Sequence, residues 1–310
     1  MFNIPLHSFY MMVFVSVLLL VATSTRLILK ARNPEKDFTE LRQRIQSWWW
    51  MIGILFGILL SSTTVVMVFF AFLSFLALKE YLSIVPTRQA DRRVLFWAYI
   101  AIPMQYYWIA SNWYGMFTVF IPVFVFLFLP MRAVFIGETK GFIKATGTIH
   151  WGVMLTVFCV SHIAYLLMLP IKNAEAGSLG LVLFLIFTTQ FNDVCQYIWG
   201  KLLGKHKIIP KVSPNKTWEG FIGGLCTVTL VSGVLAPYLT PLTITQGLVA
   251  GLLIAGSGFV GDVVISSVKR DLRIKDSGKL IPGHGGILDR IDSLIYTSPL
   301  FFHYLYYLQY

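Results

Sequence analysis

The sequence predicts an all-α polytopic membrane protein of about ten transmembrane helices. Three observations lead there. Of 310 residues, 56% are hydrophobic and only 13% are charged, about half the charged share of a soluble domain. Apolar runs of roughly twenty residues, the length that crosses a bilayer core, recur along the chain. Basic residues crowd into alternate loops.

The spans are expected at about 9–29, 45–61, 62–84, 94–111, 113–131, 148–171, 178–200, 218–238, 243–266 and 291–309. The second and third share one apolar run from Trp48 to Leu78. At about 1.5 Å per residue that run outlasts one bilayer core. Ser61-Ser62-Thr63-Thr64 divides it, so two helices with a tight turn are predicted. Pro103, Pro122 and Pro237 predict kinks or helix ends. No cleaved leader is expected, since the first run starts near Phe9 without a basic stretch before it or a small-residue cleavage site after it. There is no internal repeat.

The formal charge of +11 invites a nucleic-acid reading. The positions of the charges argue against one. Lys30, Arg32, Lys36, Arg42 and Arg44 fall in one loop region; Lys79, Arg88, Arg92 and Arg93 in the next basic one; then Arg132, Lys140 and Lys144. Lys201, Lys205, Lys207, Lys211 and Lys216 follow, then Lys269, Arg270, Arg273, Lys275, Lys279 and Arg290, so 23 of 25 basic residues share one side. The positive-inside rule makes that side cytosolic and places both termini outside. The charge is then topology and contact with anionic headgroups, with no nucleic-acid partner. Cys159, Cys195 and Cys226 all sit in apolar runs without metal-type spacing and are expected to be small core or lipid-facing side chains.

Ionisable groups within spans cost roughly 2.5–3.5 kcal/mol each at mid-helix and need a reason. Three places stand out, all on the basic side. In the first, Asp193 precedes Tyr197 by four residues and Lys201 by eight, which puts the three on one helical face. An Asp–Lys pair stitching helices together is the plainer explanation there. The second is the Lys- and Gly-rich loop 200–220, holding Ser213-Pro214-Asn215-Lys216-Thr217. Thr217 suits a helix N-cap, and a capped N-terminus near Ser and Lys donors suits an anion. A solvated basic loop is the alternative, and the loop lacks the spacing of a Walker A motif.

The third place is the densest. Asp262, Ser266 and Lys269 share one face of a helix end; Arg270, Asp271, Arg273, Lys275 and Asp276 follow. A Gly-rich bend with His284 leads to Asp289-Arg290-Ile291-Asp292, which opens the last span. Carboxylates beside clustered Lys and Arg suit Mg²⁺ with a polyphosphate, and glycines admit close backbone approach. An ordinary charged loop would not explain Asp262, which lies in or at the edge of a membrane helix. His284 has no Cys or His at ligand spacing, so zinc is not expected; it suits backbone shaping or phosphate contact. No Gly-x-Ser-x-Gly elbow supports a serine triad.

The run Ser266-x-Val-Lys-Arg-x₄-Lys-Asp-x-Gly-x₂-Ile-Pro-x-His-Gly-Gly-Ile-x-Asp-Arg-Ile-Asp292 resembles the signature of the phosphatidate cytidylyltransferases, the CDP-diacylglycerol synthases, at every fixed position. Asp193-x₃-Tyr-x₂-Gly-Lys-x₂-Gly-Lys205 and Lys211-Val-Ser-Pro-Asn-Lys-Thr-Trp-Glu-Gly220 are similar to further blocks of that family. The resemblance begins near residue 42. It implies two parts: an added N-terminal helix and linker over 1–40, and a nine-helix cytidylyltransferase membrane domain over 41–310.

The resemblance further implies transfer of CMP from CTP to phosphatidate, giving CDP-diacylglycerol and pyrophosphate, at the cytosolic face of a cytoplasmic membrane. It implies Mg²⁺, admits K⁺ as a second ion, and leaves room for a homodimer. Asp262 and Asp289 are the expected metal ligands and, with Lys269 and Asp292, the expected catalytic set. Asp193, Ser213, Lys216, Ser266, Arg270, His284 and Arg290 are expected at the substrates. Where the family places small residues after the first of these acids, this chain has Val194-Cys195-Gln196. That departure bears on the lipid acceptor more than on the chemistry. A CTP-dependent lipid kinase, or a cytidylyltransferase for another lipid acceptor, is the alternative. A transporter is disfavoured, because the charges gather at one face rather than at the midplane between repeats.

Overall fold

The computed structural model describes residues 4–35, 37–88, 91–278 and 285–310. Over these residues the chain forms ten helical rods: α1 (Leu6–Arg32), α2 (Thr39–Leu59), α3 (Thr63–Ile84), α4 (Arg92–Ala110), α5 (Tyr114–Val134), α6 (Phe142–Leu166), α7 (Gly177–Leu203), α8 (Trp218–Leu239), α9 (Ile244–Asp271) and α10 (Leu288–Gln309). Each expected span has its rod. An isolated β-bridge joins Lys207 to Thr217. The protein is an all-α polytopic membrane protein.

Seven rods, α1, α3 and α5 to α9, are long and apolar enough to cross a membrane. The other three are diluted by aromatic and polar side chains: Trp48-Trp49-Trp50 in α2, Gln105-Tyr106-Tyr107-Trp108 in α4, and His303, Tyr304, Tyr306 and Tyr307 in α10. Such amphipathic rings suit the membrane–water boundary. The predicted turn is present: α2 ends at Leu59 and Ser62 caps α3, its Oγ accepting the Val65 N–H at 3.4 Å. Pro103 and Pro237 lie inside α4 and α8. Pro122 lies in a π-helical segment, residues 120–125 of α5, where a residue without an N–H breaks the regular ladder.

The rods alternate in direction, so the described parts of the basic loops, 33–35, 37–38, 85–88, 91, 135–141, 204–217, 272–278 and 285–287, gather at one end, called the basic face below. Helix α1 is peripheral: only Ser8, Met11 and Met12 are buried in it. Its start is tied down by Ser8 Oγ donating to the Ala176 carbonyl at 2.6 Å and by a 2.8 Å contact between His7 and Glu175.

The core has two textures. Around α3 to α6 and the far half of α10 it is built of rings, with Tyr81, Phe117, Tyr165, Phe301 and Phe302 almost wholly buried. Between α7, α8 and α9 it is built of small residues that let backbones approach, as membrane helices do in the absence of a hydrophobic driving force. A Cβ at Gly224 would stand 3.2 Å from the Gln196 backbone nitrogen. The three cysteines are free: Cys195 buried, Cys159 half-buried and Cys226 exposed.

Candidate functional site

The basic-face ends of α7, α9 and α10 enclose a cavity of about 250 Å³, lined by Gln190, Asp193, Asp262, Lys269, Asp276, Asp289, Arg290 and Asp292. Six of these eight are expected site residues; Asp276 belongs to the charged cluster read from the sequence but had no assigned role, and Gln190 is new. The close contact of α9 with α10 makes the convergence. A side chain at Gly261 would run into the Asp292 carbonyl, so glycine there lets the two acid-bearing helices meet.

Each carboxylate has its own environment. Asp262 is bridged on both oxygens: Ser266 Oγ donates to Oδ1 at 3.1 Å, and Lys216 Nζ stands 2.6 Å from Oδ2. Lys216 arrives from the 204–217 loop, lies over the Phe259 ring at 4.8 Å, and also donates to Gln196 Oε1 at 3.3 Å. Asp289, only 6% exposed, is fully engaged. Lys269 Nζ donates to its Oδ1 at 2.6 Å, while the Ser277 and Gly286 N–H groups donate to its Oδ2 at 2.9 and 3.0 Å. Asp193 accepts from Ser293 Oγ at 3.1 Å, and Asp292 Oδ1 accepts the Ser293 N–H at 2.8 Å. The alternative reading of Asp193, a stitch with Lys201, is not made: Lys201 lies over the Tyr197 ring, 5.9 Å from its centroid.

The loop before α8 is held as a unit. Thr217 is the N-cap, its Oγ1 accepting the Gly220 N–H at 3.2 Å. Glu219 accepts the Lys205 N–H at 3.1 Å and contacts His206 Nδ1 at 2.6 Å, so the loop's start is folded against its end. Arg270 Nε donates to the Val212 carbonyl at 3.1 Å and pins this loop to α9. Arg270 therefore anchors the loop and does not line the cavity. Ser213 sits in the turn of the same loop, its carbonyl accepting the Lys216 N–H at 3.3 Å. His284 lies outside the described residues.

A family model described as the cytidylyltransferase family matches residues 42–308. The chain belongs to the cytidylyltransferase family. This cytidylyltransferase is 47% identical over 291 residues to uncharacterized protein YnbB of Escherichia coli (strain K12), covering 94% of this chain and 95% of that protein. It is 40% identical over 150 residues to the phosphatidate cytidylyltransferase of Staphylococcus saprophyticus, covering 47% of this chain and 58% of that protein. The match to the enzyme of that name from Staphylococcus aureus (strain COL) is 40% over 152 residues, with the same coverage of 47% and 58%. The chain thus spans a little over half the length of these staphylococcal relatives. Membership makes this membrane protein a nucleotidyltransferase of the cytidylyl-transferring kind.

The arrangement suits that chemistry. Acidic side chains line the cavity, and Lys216, Lys269 and Arg290 stand among them, so a triphosphate finds cations and a metal ion finds hard oxygens. Among the described residues no three His, Cys, Asp or Glu side chains form a ready-made ion cage. Mg²⁺ does not need one, because it is commonly held by one or two carboxylates plus substrate phosphates and water. The donor set therefore fits a Mg²⁺–nucleotide pair better than a resident structural ion.

Sequence reasoning missed Glu80, on α3, whose carboxylate bonds to the segments flanking Asp289. An acid ending an apolar span on the basic side was the available signal. Asn192, beside Asp193, donates through its Nδ2 to the Ala255 carbonyl at 3.2 Å and joins α7 to α9.

Proposed function

We propose that this cytidylyltransferase transfers CMP from CTP to phosphatidate, at a site on the cytosolic face of the cytoplasmic membrane. The observation that carries the reading is the convergence of Asp193, Asp262, Asp289 and Asp292 with Lys269 and Arg290 on one cavity. The names of the staphylococcal relatives support phosphatidate as the acceptor. The asymmetry of basic loops supports the cytosolic orientation.

A phosphatidate phosphate oxygen attacks the α-phosphorus of CTP. The bond to the bridging oxygen breaks, and pyrophosphate leaves with the electron pair. Little covalent work falls to the protein, so positioning and neutralisation of charge dominate. Lys216, Lys269 and Arg290 bind phosphate oxygens; the two lysines exchange their aspartate partners for the nucleotide. Asp262 and Asp289 would hold Mg²⁺, with Asp193 and Asp292, which have no lysine partner among the described residues, completing the acidic lining. Bound there, the ion supplies charge neutralisation at the triphosphate. K⁺ as an accessory ion is part of the same reading.

A related lipid acceptor is the second reading, and Gln196 favours it. Its Oε1 takes a hydrogen bond from Lys216, and its Nε2 is buried without a partner, so the acceptor side of the site carries an amide where the family has a small residue.

The test is incubation of the purified protein with Mg²⁺, phosphatidate and CTP labelled at either the α- or the γ-phosphate. Label from the α-position enters lipid while γ-label leaves as pyrophosphate. Entry of γ-label into lipid would show a kinase and overturn the proposal.

A further inference from the structure

Helix α10 carries Asp289, Arg290 and Asp292, yet its own start is poorly equipped. Its N-cap residue is Ile287, which has no side-chain acceptor. The first backbone N–H groups of any helix lack intrahelical partners and need some other acceptor. Here the acceptor comes from a distant part of the chain. Glu80 Oε2 accepts the Ile287 N–H at 2.9 Å, and Glu80 Oε1 accepts the Leu288 N–H at 3.0 Å. Glu80 Oε1 also accepts a hydrogen bond from the Ser277 hydroxyl. A carboxylate is favoured at a helix N-terminus by the backbone dipoles.

The glycines agree independently. A Cβ at Gly278 would stand 3.0 Å from Glu80 Oε2, and one at Gly286 would overlap the Glu80 carboxylate. A side chain at Gly286 would occupy the place of the carboxylate, and one at Gly278 would crowd it. Asp289 works the same two segments from the other side, through the Ser277 and Gly286 N–H groups. Two carboxylates from different helices thus clip the end of the α9–α10 connection to the first turn of α10.

We propose that Glu80 is a positioning residue of the site: reaching from α3, it caps α10 and sets where Asp289, Arg290 and Asp292 stand. Glu80 does not line the cavity and acts only through these groups. Its carboxylate is one link between the aromatic half of the molecule and the helix that carries the cavity acids. Whether the positioned groups serve CMP transfer rests on the function proposed above; the capping itself does not.

The test uses Glu80→Gln, which keeps size but turns an NH₂ toward a backbone N–H, with Ser277→Ala as a milder second variant. Hydrogen exchange at the Ile287 and Leu288 amides should rise about tenfold or more in Glu80→Gln, with other α10 amides unchanged. Turnover should fall roughly 10- to 100-fold, as expected for ångström-scale misplacement, with the KM for CTP within about threefold of the parent. Ser277→Ala should fall in the same direction, by less. The double variant should be no worse than Glu80→Gln alone, because both act through one clip. Unchanged exchange in Glu80→Gln overturns the proposal, and so does raised exchange with turnover intact. If the parent protein fails to transfer CMP at all, the function proposed above falls, and the exchange measurement still decides the capping.

Discussion

The two halves of the molecule bury different kinds of surface. In α3 to α6 the interior is aromatic. Phe117 packs edge-on to His162 at 4.7 Å and against Tyr165 at 4.6 Å between centroids. Polar groups there pair off locally, as Tyr106 does with the Phe70 carbonyl at 2.8 Å and with Ser74 at 2.9 Å. In α7 to α10 glycine, serine and threonine bring backbones together, and carboxylates face lysines at the basic end. The first texture builds a close-packed aromatic wall. The second brings helix ends close enough for several acids to share one cavity. Charge in a membrane helix is tolerated where it is paired and faces a polar cavity, which is how the second half uses it.

Substitutions can break that contrast, and the largest effect belongs to the acidic half. Asp262→Asn should lower CMP transfer by about 10²-fold or more while the protein still inserts and folds, measured by lipid labelling from α-labelled CTP. Retained turnover would remove Asp262 from the reacting centre. Next comes Lys269→Met. It strands the buried Asp289 carboxylate, and breaking a buried pair costs about 3–5 kcal/mol, so the thermal midpoint in detergent should drop along with activity. Phe117→Ala, in the aromatic half, should cost a comparable or smaller stability of about 3 kcal/mol by opening a cavity, yet leave turnover per folded molecule near the parent value. The smallest effect is that of Thr217→Ala. Loss of the α8 cap should cost about 1 kcal/mol and appear as faster exchange at Gly220.

Much of this contrast was legible in the sequence. The spans follow from runs of apolar residues, and the sidedness from Lys and Arg. Asp193, Asp262 and Asp292 stood out because a carboxylate in a membrane helix needs compensation, and Thr217 because Thr before Trp218-Glu219 is a capping pattern. Pairings across the chain were not legible. Lys269 meets Asp289 and not Asp262 or Asp271, because helix α10 places Asp289 beside the last turn of α9. Lys216 meets Asp262 through a loop whose fold depends on Glu219 and His206. Arg270, which the family resemblance put at the substrates, holds the Val212 carbonyl, a contact that no local pattern announced. Glu80 stayed hidden because it acts 207 residues away from the Ile287 amide it caps. Sequence reports the cost of a buried charge; only the packing of helices reports which partner relieves it.

The central claim is that chemistry resides in the α7–α10 cavity while α3–α6 serve as its wall. It is tested most directly by measuring α-label transfer from CTP to lipid, per folded molecule, in the parent, Asp262→Asn and Phe117→Ala proteins side by side. The account predicts background transfer for Asp262→Asn and transfer within about threefold of the parent for Phe117→Ala. Equal losses in the two variants, or transfer retained in Asp262→Asn, would contradict it.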